Sequence, residues 1–371
     1  MVVSGILTLV KILGIESSAD ETAAAIVEYG KRLISQVVSS QIDIHAQYGG
    51  IIPEVAARSH MEIINPVINQ TLADVELTWD DIDAIAVTYA PGLIGSLLIG
   101  TLAARTLALI KNKPLYPVHH VEAHVYANFI TEATDSNLVL PSKQPEFPLL
   151  ALIVSGGHTQ LVLFRDHGDY ELIGRTQDDA VGEAYDKVAK IIGLPYPGGP
   201  SIAKAAELGD PQKYQLPKAK LENAYDFSFS GLKTAVLRAV QREAGVDITF
   251  PSYELAGLLN DVQRNDFAAS FQRIANETLV EKTLAAFTDY QPKSVVIAGG
   301  VAADRDLRRR LAEQLPIAIE YAPGKLCTDN AAMVATLGFY YSLSMPPKDP
   351  RSLEVIPSLS MDKTAWAMGS L

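Results

Sequence analysis

Two histidines, His120 and His124, stand four residues apart in the run Val-His-His-Val-Glu-Ala-His from Val118 to His124. On a helix this spacing puts both imidazoles on one face, a turn apart, where they can reach one metal ion. Three of the chain's seven histidines fall in this heptapeptide. The apolar stretch Pro114 to Val118 before it reads as a strand end, and a strand feeding a helix is where α/β folds place ligands. Glu122 lies two residues beyond His120 and therefore about 200° around the helix. In H-E-x-x-H proteases the Glu follows the first His directly and serves as general base beside the metal. Here that base is misplaced. The plainer alternative is a helix with surface histidines and no metal.

Several loops have compositions suited to phosphate or nucleoside. In Glu16 to Thr22, hydroxyls and backbone amides can grip an anion, and Asp20 and Glu21 are available for acid/base or metal-water work; the alternative is a polar hairpin. In Ser155-Gly156-Gly157-His158-Thr159 the adjacent glycines permit close backbone approach to a ligand, although Gly-Gly also suits an ordinary hairpin. Gly299-Gly300 follows a buried strand and precedes a predicted helix, a junction that aims amides at a ligand. Pro197-Gly198-Gly199-Pro200 reads as a fourth, rigid turn. Neither a P-loop nor a strand-following G-x-G-x-x-G occurs.

These loops need elements to hold them. Leu7 to Ile15, Thr22 to Tyr29 and Leu33 to Ser40 read as three strands of an antiparallel meander. Pro53 to about Ala73 reads as a helix with Pro in its first turn. Ile82 to Thr88 is a predicted strand and Leu93 to Ile110 a helix. Residues 131–147 form a polar, proline-bearing loop that marks a lobe boundary. A second set of strands follows at Leu149 to Val154, Thr159 to Phe164 and Tyr170 to Gly174. The stripe Val181, Ala184, Tyr185, Val188, Ala189, Ile192 predicts a helix. Further helices are predicted over Asn265 to Ala286, Val301 to Gln314 and Ala331 to Tyr341, with a buried strand at Val295 to Ala298. Both halves open with three strands, which points to a duplicated α/β plan: residues 1–130, completed by a C-terminal helical segment over 330–360, and residues 131–329. Two such lobes would leave a ligand cleft.

The 371 residues suffice for two cores, and 48% hydrophobic with 20% charged residues is ordinary globular composition. A net charge of −12 is unlike a free-standing nucleic-acid binder, so contact with nucleic acid requires a local basic patch or partners. Arg305, Arg308, Arg309 and Arg310 are one candidate patch, equally readable as a solvated helix face. Cys327 is the sole cysteine, which excludes an internal disulfide framework and implies a reducing, cytoplasmic setting. No apolar run reaches the roughly 18 residues of a membrane span. The apolar N-terminus is interrupted by Lys11 and reads as a short leader running into the first strand rather than a signal peptide.

Taken in order, nine motifs resemble the bacterial tRNA threonylcarbamoyladenosine transferase family (TsaD, formerly described as O-sialoglycoprotein endopeptidase). They are Gly14 to Thr22, His45 to Glu54, Pro91 to Leu98, His119 to His124, Val154 to Gln160, Asp178 to Lys190, Phe227 to Lys233, Gly299 to Ala302 and Cys327 to Asn330. The resemblance runs from about Ile12 to Tyr340. It implies a two-lobed actin/sugar kinase/chaperone ATPase-like fold, a duplicated ribonuclease H-like plan with five-stranded cores and a nucleotide cleft between lobes. It further implies a divalent metal, Fe2+ or Zn2+ with Mg2+ as an alternative, on His120, His124 and Asp329; Asp329 also reads as a helix N-cap. Nucleotide contacts carry over to Ile153, Val154, Ser155, Gly156, Gly157, Asp186, Gly199 and Asp304, with Asp186 suited to ribose hydroxyls.

The sequence departs from the family pattern at named positions. Asp304 replaces the usual Asn, exchanging a donor-acceptor for an acceptor. Ala19 stands for a usual Cys, which removes that Cys as an obligatory nucleophile, and Ala90 stands for a usual Gly. Ile153 occupies the place of a metal-contacting Tyr in archaeal and eukaryotic relatives, so fewer protein ligands are implied. The implied reaction moves a threonylcarbamoyl group from threonylcarbamoyl-AMP to tRNA and releases AMP, with Asp20 or Glu21 relaying a proton. The implied partners are a paralogous, TsaB-like subunit and a small, TsaE-like ATPase, with no membrane. The competing readings are a metalloprotease, a kinase or chaperone-type ATPase, and a scaffold subunit.

Overall fold

The computed structural model describes residues 10–363. The apolar leader and residues 7–9 of the predicted first strand lie outside the described residues. The chain runs β1 (Lys11–Glu16), β2 (Glu21–Glu28), β3 (Arg32–Ser40), α1 (Ile42–Ala46), α2 (Pro53–Ala73), β4 (Ala84–Ala90), α3 (Ile94–Lys111), β5 (Leu115–His119), α4 (His120–Tyr126) and β6 (Glu132–Ala133). It continues with β7 (Leu149–Val154), β8 (Thr159–Asp166), β9 (Asp169–Arg175), α5 (Val181–Ile192), α6 (Gly198–Ala206), α7 (Ser230–Glu243), α8 (Asp261–Tyr290), β10 (Ser294–Ala298), α9 (Arg305–Gln314), α10 (Gly324–Cys327) and α11 (Ala331–Ser344).

Among the described residues two compact units result, one of residues 10–41, 52–144 and 328–363, the other of 42–51 and 145–327. In the first, the sheet order is β5-β4-β1-β2-β3-β6. β1, β2 and β3 are antiparallel, as the meander predicts, while β4 and β5 add in parallel beyond β1. Every residue of β4 is buried, the run expected of a parallel strand covered on both faces. The covering helix α11 lies against β1 so closely that a Cβ on Gly14 would come within 2.3 Å of the Ala331 carbonyl oxygen. Only glycine admits that approach.

The second unit repeats the order. Its sheet is β10-β7-β8-β9, with β7, β8 and β9 antiparallel and β10 parallel to β7. A three-strand meander followed by a strand added in parallel beside the first is the ribonuclease H-like plan, and both units have it. The fold is a duplicated α/β fold of the actin/sugar kinase/chaperone ATPase class. Among the described residues the second sheet has four strands, not five.

Several elements differ from their sequence-based expectations. α8 extends to 30 residues because Asn260 and Gln263 form a capping box well before the predicted start. The predicted helix from Val301 divides: Gly300–Ala303 form a 3-10 turn, and Asp304 caps the α9 that follows. Gly198-Gly199-Pro200 is not a turn but the first turn of α6. α3 has 18 residues at hydropathy 1.5, so by length and composition it is long and apolar enough to cross a membrane, contrary to the sequence reading. One face of it, including Leu97, Gly100 and Ala104, is buried, and the helix packs on α2 and β4.

Candidate metal centre and glycine loops

The metal ligands assemble within the first unit. β5 ends at His119, whose Nδ1 accepts from the Glu122 backbone N–H at 3.4 Å and starts α4. That helix, although short, presents His120 and His124 on one side, their rings 4.6 Å apart. Asp329 precedes α11. One atom each of His120, His124 and Asp329 lie within 4.8 Å of one another. Asp329 Oδ1 is 3.2 Å from His124 Nε2 and 3.5 Å from His120 Nε2. Asp329 is not the helix cap: Asn330 fills that role, accepting from Met333 N–H at 3.0 Å. The Asp329 carboxylate is thereby left to the histidines.

The donor set fits a divalent ion. His124 is only 1% exposed, yet neither ring nitrogen has a hydrogen-bond partner among the described residues. Burying an imidazole in that state is costly, and coordination at Nε2, which has only the 3.2 Å approach of Asp329 Oδ1, would relieve the cost at that nitrogen. Two imidazoles and one carboxylate suit Zn2+ or Fe2+ better than the oxygen-only shells that Mg2+ prefers.

Glu16, which sequence reasoning placed only at the edge of a loop, organises the centre. It is fully buried at the end of β1. Its Oε1 accepts from Ser18 N–H at 2.6 Å, and its Oε2 accepts from Thr88 Oγ1–H at 2.6 Å. The same Oε2 lies 3.1 Å from His120 Nδ1. An ionised carboxylate only accepts, so Nδ1 carries the hydrogen and Nε2 is turned toward Asp329. Burial alone would keep Glu16 protonated, but His120 and the hydrogen bonds outweigh it and hold the carboxyl below its ordinary value. Burial likewise disfavours a charged His120, yet Asp329 and Glu16 raise its pKa to about 9. Proton and metal therefore compete for Nε2.

The surrounding loop is braced from α3. Leu93 N–H donates to the Ser18 carbonyl at 2.8 Å, Ser17 Oγ–H to the Ser96 carbonyl at 2.8 Å, and Ser96 Oγ–H to the Ala19 carbonyl at 3.1 Å. These contacts explain the Pro91 to Leu98 motif. Asp20 is buried at the turn and Glu21 opens β2. Burial, then the charges of Asp329 and Asp20, push Glu21 up to about 10. Such a proton marks excess negative charge, which a divalent cation would relieve. Glu122 faces elsewhere: it is buried and accepts from Tyr341 Oη–H at 2.8 Å.

In the second unit the glycine loops converge on the end of β7. Ile153 and Val154 are fully buried, with their backbones paired in the sheet, so neither is exposed to a ligand. Ser155 closes the β7–β8 hairpin, its N–H donating to the His158 carbonyl at 2.8 Å, while Gly156 and Gly157 remain exposed. A Cβ on Gly182 would come within 2.5 Å of the Ser155 carbonyl oxygen, and one on Gly299 within 2.5 Å of that of Val154. The two glycines thus bring α5 and the β10 end against this hairpin. Asp186 Oδ1 accepts from Gly198 N–H at 2.7 Å, and this bond starts α6 at the Pro-Gly-Gly-Pro segment, with Gly199 beside it.

Asp304 accepts from Leu307 N–H at 2.9 Å and from Gln272 Nε2–H at 2.8 Å, which accounts for an acceptor-only side chain there. Asp178 ties two motifs together, accepting from Phe229 N–H at 2.8 Å and from Ser230 Oγ–H at 2.7 Å at the start of α7. The arginine cluster is not a free basic patch. Arg308 donates to the Ala302 carbonyl at 2.6 Å, while Arg309 and Arg310 pair with Asp306 at 2.6 Å.

Two predictions follow from these contacts. Glu16→Ala should weaken divalent-metal binding about 10–100-fold, with Glu16→Gln restoring part of it through its amide oxygen, both read by equilibrium dialysis. Asp178→Ala should cost about 1–2 kcal/mol of stability in denaturant titrations at neutral pH. Partial burial works against ionised Asp178, but the serine hydroxyls and backbone amides prevail and lower its pKa. The wild-type advantage should therefore persist above the ordinary Asp value of about 4 and vanish as pH falls through the lowered one.

The family model described as tRNA N6-adenosine threonylcarbamoyltransferase (TsaD) matches residues 32–336. A protein of that name from Symbiobacterium thermophilum is 51% identical over 332 residues, covering 89% of this chain and 91% of its own. Another, from Thermomicrobium roseum, is 49% identical with the same coverage, 89% and 91%. Among solved structures, component A of (R)-2-hydroxyglutaryl-CoA dehydratase from Acidaminococcus fermentans aligns with a TM-score of 0.46 at 15% identity, covering 90% of this chain and 100% of its own. With its motifs in place and relatives this similar along most of its length, the chain belongs to the tRNA N6-adenosine threonylcarbamoyltransferase family.

Proposed function

We propose that the chain transfers a threonylcarbamoyl group from threonylcarbamoyl-AMP to N6 of the adenosine 3′ of the anticodon, position 37, in tRNAs reading codons that begin with A. A C–N bond forms between N6 and the carbamoyl carbon, the bond from that carbon to the phosphate oxygen breaks, AMP departs, and N6 loses a proton. The observation that carries this reading is the His120–His124–Asp329 cluster with Glu16 behind it, in a chain of this family. When bound, a divalent ion there supplies Lewis-acid stabilisation of negative charge on phosphate oxygens.

The protein's own groups do the rest. Glu16 holds His120 in one tautomer and one orientation. Asp20 is the group we assign to take the proton that N6 gives up, whereas Glu21, protonated as described, could relay it only after a bound cation had displaced its own proton. The exposed amides of Gly156 and Gly157 and the carboxylate of Asp186 are the groups best suited to an adenosine monophosphate moiety. A net charge of −12 favours tRNA binding shared with partners, which we take to be a TsaB-like paralogue and a TsaE-like ATPase in the cytoplasm. Glu122 is not placed to serve as a metalloprotease base, because it is buried and accepts from Tyr341.

The test is incorporation of radiolabelled threonine into unmodified tRNA, with adenylate synthase and partner proteins supplied. Wild type should incorporate label, and His120→Ala/His124→Ala should fall by about 100-fold or more. Equal incorporation by both would remove the metal cluster from the reaction, and none by wild type beside active partners would end the transferase assignment.

A further inference from the structure

The second unit carries a cavity of about 310 Å³ that the reading above leaves without a role. Lys187 and Lys190 of α5 and Lys233 of α7 line it, together with apolar Ile191 and Leu237 and the aromatic Tyr253. Its residues are distinct from Asp186, Gly199 and the glycine hairpin. The size is at the lower end of the roughly 300–1,000 Å³ typical of ligand pockets, enough for one small ligand.

The lysines are positioned rather than loose. The two oxygens of Asp179 hold Lys187 at 3.0 Å and Lys233 at 2.8 Å, and Glu183 holds Lys187 from its other side at 2.8 Å. Lys190 has no ion pair among the described residues and is exposed. Three ammonium groups thus meet two carboxylates, and the surplus positive charge sits on Lys190. Within the arginine cluster, by contrast, Arg309 and Arg310 are paired with Asp306 and Glu313. Tyr253 is 73% exposed, a large aromatic face next to the charge. Ammonium groups beside an open aromatic ring form the arrangement that engages single-stranded nucleic acid, the lysine taking phosphate and the ring a base.

We propose that this cavity binds one unpaired nucleotide of the RNA substrate, its phosphate on Lys190 and its base against Tyr253. The inference rests on the tRNA reading above. An acidic polypeptide would satisfy the lysines but has no use for the aromatic face, and the net preference for RNA comes from the two together.

The experiment compares wild type with Lys190→Glu and Tyr253→Ala, both surface changes, using full-length chain. Two readouts are taken: KM and kcat for unmodified tRNA in the complete transfer assay, and direct tRNA binding by fluorescence anisotropy. Each variant should raise the KM and Kd for tRNA about five- to tenfold, with kcat and the KM for threonylcarbamoyl-AMP unchanged. Values within twofold of wild type in both variants would overturn the proposal, as would wild-type chain that binds no tRNA. A raised KM for the adenylate instead would assign the cavity to a free nucleotide. An effect of Lys190→Glu with Tyr253→Ala silent would assign it to an acidic polypeptide. Wild-type chain that binds tRNA through these residues but modifies none would refute the transferase and leave this contact standing.

Discussion

A single buried carboxylate governs the candidate centre. Glu16 sits at the end of β1 with no exposed surface, and taking a carboxylate out of water costs several kcal/mol unless donors replace the solvent. Ser18 N–H, Thr88 Oγ1–H and His120 Nδ1–H are those donors, supplied by the β1–β2 loop, β4 and α4. Three neighbouring segments must therefore keep register for the charge to stay buried. The Pro91 to Leu98 segment keeps one of them in place by clasping the loop at Ser17, Ser18 and Ala19. Gly14, which lets α11 pack against β1, keeps Asp329 at the head of that helix within reach of both histidines. The motifs along this unit are the parts of one support.

The second unit applies a different constraint. Its sheet is built the same way, but its glycine loops bring backbone rather than side chain to the end of β7. Gly182 and Gly299 permit approaches to the Val154–Ser155 carbonyls that any Cβ would block, and Asp186 spends one oxygen on the start of α6. Asp178 and Asp179 then fasten α7 to the loop ahead of α5, which sets the lysines of the cavity.

Much of this was legible in the sequence, for physical reasons. The meander, the α5 stripe and the paired histidines follow from periodicity, since one face of a strand or helix repeats at a fixed interval. Asp329 has no such signature, because its partners lie far away along the chain and only the family pattern links them. Glu16 was hidden for a related reason: its role depends on Thr88 and His120, brought beside it by parallel pairing of β4 and β5. The one available signal is a carboxylate directly after the apolar run Ile12 to Ile15. Pro197 to Pro200 was misread as a turn because Gly and Pro punctuate both turns and helix starts, and the deciding hydrogen bond comes from distant Asp186. For Asp304 the sequence offers a ligand contact; its cap to α9 and its bond from Gln272 emerge only from packing.

The most direct test of the centre is X-ray absorption at the metal edge of the purified, metal-loaded chain. The structure predicts one ion per chain with two imidazole nitrogens and carboxylate oxygen at about 2.0–2.2 Å, and loss of the imidazole scattering in His120→Ala/His124→Ala. A bound ion without imidazole scattering, or a spectrum unchanged in the double variant, would contradict it.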